Sequence, residues 1–267
     1  MRRFSADYLE RTREGMWADS REALADLALD SRSRILDVGC GTGELTRVLA
    51  ADSSAEVVGC DTDRELLAVA SDHVPTVAGD ALRLPVRDDG VDLVVCQALL
   101  INLPDPAAAL REFTRVSSDL VAAIEPNNAE VRVDSTVSAE VDLESRVREA
   151  YLQGVETDVA LGDRVEALFE QRGIEVVSTR RYEHEKRTEP PYSEAALTDA
   201  ARKASGAGLA DHETELRRGM AGRVSTYDDL RREWREMGRT VVEKMQTGDY
   251  ERVETVPFDV TVGRVGN

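Results

Sequence analysis

Three aspartates, each at or near the end of an apolar run with a glycine within two residues, are the residues of this chain best placed to do chemistry: Asp37, Asp61 and Asp80. The first lies in Ile35-Leu36-Asp37-Val38-Gly39-Cys40-Gly41-Thr42-Gly43-Glu44-Leu45, where an apolar run enters a glycine-rich turn ahead of a helix-like segment. Glycine is required where the backbone turns left-handed or where a ligand must lie against bare main chain. Such a turn also suits dinucleotides, but their pattern wants a third glycine after a two-residue gap, and Glu44 occupies that place. A carboxylate at Asp37 is poorly suited to a pyrophosphate and well suited to a cofactor with a cationic amino-acid end. Asp61, with Thr62 beside it, ends the run Glu56-Val57-Val58-Gly59-Cys60. A carboxylate there can accept from both hydroxyls of a ribose. Its other reading, a helix cap, is already filled by Asp63. Asp80 follows Val77-Ala78-Gly79, where an acid can accept from an adenine amino group while the Ala81 N–H donates to the ring. Alone it would read as a surface turn; third in a correctly spaced series, it does not.

Strands must hold these carboxylates. Apolar runs predict strands at 34–38, 56–60, 74–78, 91–95 and 119–124, with helices at 44–51, 63–71 and 105–115 between them. Leu45, Val48 and Leu49 share one helix face, and Asp63 is a fitting N-cap for the second helix. Alternation of apolar strands with helices predicts a parallel sheet covered on both faces. Residues 5–29 read as one broken or two short helices interrupted near Gly15, with Leu24, Leu27 and Ala28 marking a buried face. After Glu125 the rhythm changes. A polar stretch, 127–157, carries a helix at 138–152; a second helix at 158–172 stops at Gly173 and leads to a strand at 174–180. Residues 192–250 read as wholly helical, and a strand at 254–263 closes the chain. Within the helical stretch Leu230, Trp234, Met237, Val241 and Met245 form one stripe, and Ser225 with Asp228 resembles a capping pair.

Composition narrows the partners. The chain of 267 residues holds 34 Lys plus Arg against 52 Asp plus Glu, a net charge of −18, and only Lys186, Lys203 and Lys244 are lysines. An acidic, Lys-poor, Arg-rich surface stays hydrated in very high salt, which points to a halophilic source; an ordinary acidic protein from a GC-rich genome is the alternative. Arg and Glu alternate closely, as in Arg231-Arg232-Glu233, and no basic stripe marks a nucleic-acid face, so nucleic acid is disfavoured. The three cysteines, Cys40, Cys60 and Cys96, fall at strand ends and read as buried thiols of a reducing cytoplasm. Met1-Arg2-Arg3-Phe4 runs into polar helix rather than a signal peptide, and no apolar run reaches membrane-spanning length. Cytoplasmic localisation is expected, as a monomer or homodimer.

With its four motifs in order, the stretch 34–126 resembles the class I methyltransferase superfamily that uses S-adenosylmethionine (SAM), particularly its small-molecule-type domains. The resemblance extends through Val91-Asp92-Leu93-Val94-Val95-Cys96-Gln97-Ala98-Leu99-Leu100-Ile101-Asn102-Leu103-Pro104-Asp105-Pro106, similar to the family's strand four and following segment, and the helix ending Leu110-Arg111-Glu112-Phe113-Thr114-Arg115-Val116. It implies an α/β fold: a doubly wound, Rossmann-like, seven-stranded, mostly parallel sheet with a helical lid insertion. It further implies that Asp37, Gly39, Cys40, Gly41 and Gly43 surround the methionine part, Asp61 and Thr62 the ribose, and Asp80 and Ala81 the adenine. Cys96 and Gln97 would line the site near the sulfonium. Ser117-Ser118-Asp119 departs from the Pro-Gly-Gly turn of many relatives, and a long helical insertion stands where the core fold often has a tight hairpin.

Residues 1–30 form a helical cap in this reading, 31–191 with 251–267 the SAM-binding domain, and 192–250 the lid. In the cap, Arg11 is a candidate for the SAM carboxylate, and Tyr8 or Trp17 for packing on the sulfonium by cation–π attraction; anchoring of the helix by Tyr8 and Trp17 is the competing reading. Glu125, at the end of strand five, is the candidate general base, needed only if the acceptor arrives protonated; a structural role in the Glu125-Pro126-Asn127 turn is the alternative. Glu189-Pro190-Pro191-Tyr192 stands outside the strand-four position that a base-amino methyltransferase motif would occupy, and reads as a hinge. Cys96 lacks the Pro-Cys setting of a 5-methylcytosine enzyme. His73, His184 and His212 are scattered, so no metal is expected. Three functions follow: a small-molecule methyltransferase roofed by 1–17, 127–157 and 192–250; a protein or RNA methyltransferase; or a non-catalytic SAM-binding module.

Overall fold

The structure, a computed structural model, describes Leu9, Met16, Trp17 and residues 20–266. Along the chain run β1 (Arg34–Val38), α1 (Glu44–Ala51), β2 (Glu56–Asp61), α2 (Arg64–Ser71), β3 (Thr76–Ala78), β4 (Val91–Gln97), α3 (Pro106–Val116), β5 (Ser117–Pro126) and β6 (Arg132–Ser135). Then follow α4 (Ser138–Gly154), α5 (Val165–Gln171), β7 (Glu175–Thr188), α6 (Glu194–Ser205), α7 (Ala207–Ala210), α8 (Glu213–Gly219), α9 (Tyr227–Thr247) and β8 (Arg252–Arg264). Two compact units result: residues 1–127, 161–182 and 257–267, and residues 128–160 with 183–256.

The first unit is the α/β body. Its strands lie in the order β3-β2-β1-β4-β5-β8, with β7 also paired to β8. The first five are mutually parallel, and β8 runs antiparallel to β5. Near-continuous apolar strands suit burial on both faces. Accordingly Leu93, Val94, Val95, Val121, Ala122 and Ala123 are wholly inaccessible. Asp63 caps α2 as its sequence position predicts, accepting from Glu65 N and Leu66 N. The Ser117-Ser118-Asp119 junction is held by ions rather than by a glycine turn. Asp119 accepts from Arg32 at 2.6 Å and from Arg264 at 3.2 Å, while Ser117 Oγ donates to Leu120 O at 2.7 Å.

The second unit is mainly helical, and it differs from the expected lid in extent. It takes in 128–160 and 183–256 rather than 192–250 alone. Its short strand β6 pairs antiparallel with residues 252–255 of β8, which makes eight strands among the described residues in place of the expected seven. β7 also runs to Thr188 rather than ending at residue 180; its alternating Glu, His, Lys and Arg conceal it from a hydrophobic pattern. The stripe Leu230, Trp234, Met237, Val241 and Met245 is buried in this unit's core, so packing rather than an exposed face accounts for it. Helix α9 begins one residue later than Ser225 with Asp228 suggests: Thr226 is the N-cap and forms a capping box with Asp229. Glycines let α4 and α8 touch backbone to backbone, for a Cβ on Gly154 would meet Glu215 O at 1.8 Å and one on Gly219 would meet Ala150 O at the same distance. Among the described residues no helix is long and apolar enough to cross a membrane.

Candidate functional site

Register builds the site. Val38 lies opposite both Cys60 of β2 and Cys96 of β4, and Cys96 lies opposite Ala123 of β5. One residue further along each strand stand Gly39, Asp61, Gln97 and Ile124, so the sequence motifs meet at one carboxyl edge of the sheet. Ligands of open α/β sheets bind at this edge, because strand ends there release loops whose side chains and N–H groups face outward.

The glycine turn is left-handed in the way its composition predicts. Gly39, Gly41 and Gly43 have φ of +75°, +55° and +79°, angles that L side chains avoid. Gly39 N and Cys40 N both donate to Cys60 O, at 2.7 and 3.1 Å, which pins the turn to the end of β2. Gly41 N donates to Asp61 Oδ2 at 2.9 Å, and Asp63 N to Asp61 Oδ1 at 2.9 Å. Asp61 thus fastens the glycine turn to its own strand end while remaining half-buried. Thr62 beside it is exposed. Asp37 is buried under the turn, where its Oδ2 accepts from Thr46 Oγ1 of α1 at 2.6 Å.

At the next strand end Asp80 is exposed, and its Oδ1 accepts from Leu82 N at 2.9 Å while Ala81 is buried. Burial, with Asp61 and Asp37 nearby, pushes the Cys60 thiol up to about 12, so it stays neutral. Cys96 is raised as well, by burial first and the Glu125 charge second. Neither thiol is poised as a nucleophile.

Past β4 the chain makes a tight turn. Ala98 takes φ +49°, and residues 100–102 form one helical turn. Glu125 organises that turn from β5. Its Oε1 accepts from Leu99 N at 3.0 Å and Leu100 N at 2.8 Å, and its Oε2 from Ile101 N at 3.3 Å. The side chain is wholly buried. Burial raises its pKa to about 7 against the opposing pull of those three N–H groups. The carboxylate considered as a general base is therefore committed to the loop that follows β4, and the turn-forming reading fits its contacts.

Gln97 is 2% exposed; its Nε2 donates to Met16 Sδ, and its Oε1 has no protein partner. Asn102 anchors its amide on Ala98 O at 2.8 Å, leaving Oδ1 likewise unpartnered. Trp17, next to Met16, packs on Tyr182 with ring centroids 5.5 Å apart, and Tyr182 stacks on Phe258 at 5.4 Å and 14°. Phe258 lies opposite Pro126 in the β5–β8 ladder, so this aromatic row borders the same edge. Tyr8 and Arg11 lie outside the described residues. Sequence reasoning passed over Met16, Thr46, Leu99, Asn102, Tyr182 and Phe258. Thr46 carries no motif, Leu99 and Asn102 lie in the segment after strand four without a role of their own, and Tyr182 and Phe258 become neighbours only when β7 pairs with β8.

Residues 36–119 match the methyltransferase domain family. The demethylmenaquinone methyltransferase of Lactiplantibacillus plantarum is 37% identical over 107 residues, covering 36% of this chain and 45% of that protein. That of Lysinibacillus sphaericus is 28% identical over 182 residues, covering 60% of this chain and 78% of that protein. The chain thus spans less than half the length of the first of these bacterial relatives. A candidate methyltransferase of Bacillus halodurans C-125 superposes with a TM-score of 0.56 at 15% identity, covering 94% of this chain and 100% of its own. A SAM-dependent methyltransferase of Aquifex aeolicus gives 0.50 at 18% identity, over 66% of this chain and 92% of its own. At these identities the likeness establishes the mixed α/β, Rossmann-like fold.

Proposed function

We propose that this chain is a SAM-dependent methyltransferase that passes a methyl group to a small-molecule acceptor by in-line displacement. The observation that carries the reading is the Gly41–Asp61 contact, which joins a left-handed glycine turn to a half-buried carboxylate at adjacent strand ends. The residues present fit the cofactor. The glycines leave main chain bare where a side chain would intrude, a Cβ on Gly39 approaching Leu99 Cδ1 to 2.9 Å. Gln97 Oε1 is a buried acceptor with no protein partner. When bound, the cofactor supplies a methyl carbon on a positive sulfur, so the acceptor's lone pair takes the methyl as the carbon–sulfur electron pair returns to sulfur.

The chain's own contribution is positioning, which can supply about 7–11 kcal/mol when the reacting atoms are aligned. Gly39, Gly41, Gly43, Asp37 and Cys40 shape the turn for the methionine part. Asp61 and Thr62 serve the ribose, Asp80 and Ala81 the adenine, and Cys96 and Gln97 the region near the methyl. Glu125 keeps the 99–101 backbone in place. A small acceptor is supported by the relatives' name, demethylmenaquinone methyltransferase, and by a net charge of −18 that disfavours nucleic acid. The same charge supports work at molar salt. The test is calorimetric titration of SAM and S-adenosylhomocysteine at 0.2 and 2 M KCl, followed by transfer of labelled methyl from SAM to pooled small-molecule acceptors. Absence of binding by folded protein at both salt concentrations sinks the reading.

A further inference from the structure

We infer that Thr46 is a positioning residue of this site: its hydroxyl fixes the Asp37 carboxylate under the glycine turn, and so sets how strongly the site holds the amino-acid end of its ligand. The inference rests on the methyl-transfer reading and deepens it by one residue. Three elements build the device. Asp37 comes from β1, Thr46 from the first turn of α1, and Gly59 from β2, where it lies directly opposite Asp37 in the parallel register.

The contact is short and dry. Thr46 Oγ1 donates to Asp37 Oδ2 at 2.6 Å, and the two residues are 0% and 1% exposed. That length is typical of a hydroxyl bonded to an ionised carboxylate. A helical threonine has another outlet for its hydroxyl, the backbone carbonyl one turn back. Here that carbonyl, Thr42 O, takes a bond from Arg47 Nη1 at 3.1 Å, and the Thr46 hydroxyl goes to Asp37. Threonine is also stiff at χ1, so fastening one carboxylate oxygen to it restrains the plane of the whole group.

Gly59 makes the room. A Cβ there would approach Thr46 Oγ1 to 3.3 Å and Cys40 Sγ to 2.8 Å. A side chain on β2 would therefore press on the hydroxyl and on the turn residue together. The glycine of the run that ends in Asp61 thus serves the run that holds Asp37.

The consequence for binding is electrostatic. A carboxylate removed from water attracts a cation several times more strongly than one at the surface. The ammonium of the ligand's amino-acid end is the cation in question. A carboxylate left to turn, with its hydroxyl bond lost, holds that ammonium less well. The nucleoside half is fixed by other bonds, from Gly41 N and Asp63 N to Asp61 and from Leu82 N to Asp80, and none of them involves Thr46. The effect of Thr46 is therefore confined to one end of the ligand.

The experiment is calorimetric titration of S-adenosylhomocysteine and of 5′-methylthioadenosine, which keeps the nucleoside and the thioether but lacks the amino acid. The proteins are wild type, Thr46→Val, Thr46→Ser, Asp37→Ala and the double variant Asp37→Ala with Thr46→Val. Thr46→Val is expected to weaken S-adenosylhomocysteine about tenfold, Thr46→Ser about twofold, and both to leave 5′-methylthioadenosine within about twofold of wild type. Adding Thr46→Val to Asp37→Ala is expected to change S-adenosylhomocysteine by less than about twofold, because a residue that acts through Asp37 has nothing left to act on. Should Asp37→Ala fail to fold, the two ligands compared across the valine and serine variants decide; should 5′-methylthioadenosine bind wild type too weakly to measure, the double variant decides. Equal loss of both ligands in Thr46→Val, or full additivity with Asp37→Ala, marks a merely structural threonine and overturns the inference. No binding of S-adenosylhomocysteine by folded wild type strikes the methyl-transfer reading, and the inference falls with it. Binding that is equal in wild type and Thr46→Val leaves that reading intact and removes Thr46 alone.

Discussion

Gly41 donates its backbone N–H to Asp61 Oδ2 at 2.9 Å, so the carboxylate expected to meet the ribose also holds the loop expected to meet the methionine part. One side chain therefore ties together two parts of the proposed cofactor site. Its other oxygen, which accepts Asp63 N–H at 2.9 Å, extends that control to the start of α2.

Replacing Asp61 accordingly does more than remove one ligand contact. Asp61→Ala is expected to weaken S-adenosylhomocysteine by about 100-fold, since charge-assisted hydrogen bonds contribute about 1.5–3 kcal/mol each. Asp61→Asn, which keeps one acceptor oxygen, is expected to lose about tenfold. Calorimetric titration of both variants checks the order; equal affinities across the three proteins would remove Asp61 from the site.

Gly39 tests the turn itself. Gly39→Ala forces a Cβ onto a residue at φ +75°, with Leu99 Cδ1 only 2.9 Å away. The expected cost is about 1–3 kcal/mol of stability, read as a lower melting temperature. Adding Leu99→Ala relieves the contact but not the backbone angle, so the double variant stays below wild type. Full recovery in the double variant would show that sterics alone, and not the left-handed backbone, require glycine here.

Glu125 makes stability depend on pH. Burial lifts its pKa from 4.5 to about 7 in the folded protein. A carboxyl whose folded pKa is raised adds stability that is complete below pH 4.5 and lost as pH rises to about 7. Other carboxyls, such as Asp119 beside Arg32, are lowered and act in the opposite sense. The Glu125 contribution therefore shows in the difference between proteins: the stability gap between wild type and Glu125→Gln is expected to change by a few kcal/mol between pH 4.5 and 8, with wild type relatively stronger in acid. Parallel melting curves across that range would contradict the assignment.

In the helical unit, Glu140 is wholly buried and is ion-paired to Lys203. It also accepts from Tyr250 at 3.1 and 3.0 Å and from Ser135 at 2.6 Å. Burial pushes its pKa up, but Lys203, Ser135 and Arg252 outweigh that and hold it below the usual carboxylate range. Lys203→Met should destabilise this unit by about 3 kcal/mol, because it removes the nearest countercharge of a buried carboxylate and leaves only the more distant Arg252 at 3.6 Å. Lys203→Met with Glu140→Gln should recover part of the loss. Urea unfolding followed by Trp234 fluorescence, in a Trp17→Phe background, reads this unit alone.

The chain's sequence determined more of this protein than its low aromatic content suggests. Helix α1 occupies the predicted residues, and β1 through β5 fall within a few residues of theirs, because apolar runs of strand length between helical patterns have few competing folds. The glycine turn and Asp61 were legible for the same reason: left-handed backbone and a strand-end carboxylate are local demands, written in adjacent residues. What tertiary structure decided are matters of long-range pairing. β6 is only four residues long and becomes a strand by pairing with 252–255, far along the chain. The tail of β7 reads as charge, since of residues 183–188 only His184 is buried and strand form comes from pairing with β8 rather than from an apolar run. Glu125 shows the division most plainly. Its position at the end of β5 was readable, but whether that carboxylate faced a substrate or the loop after β4 depended on three N–H groups, those of residues 99, 100 and 101, brought to it only by β4–β5 pairing. Tyr182 and Phe258, 76 residues apart, likewise acquire their stacking from strand pairing and from no pattern in either segment.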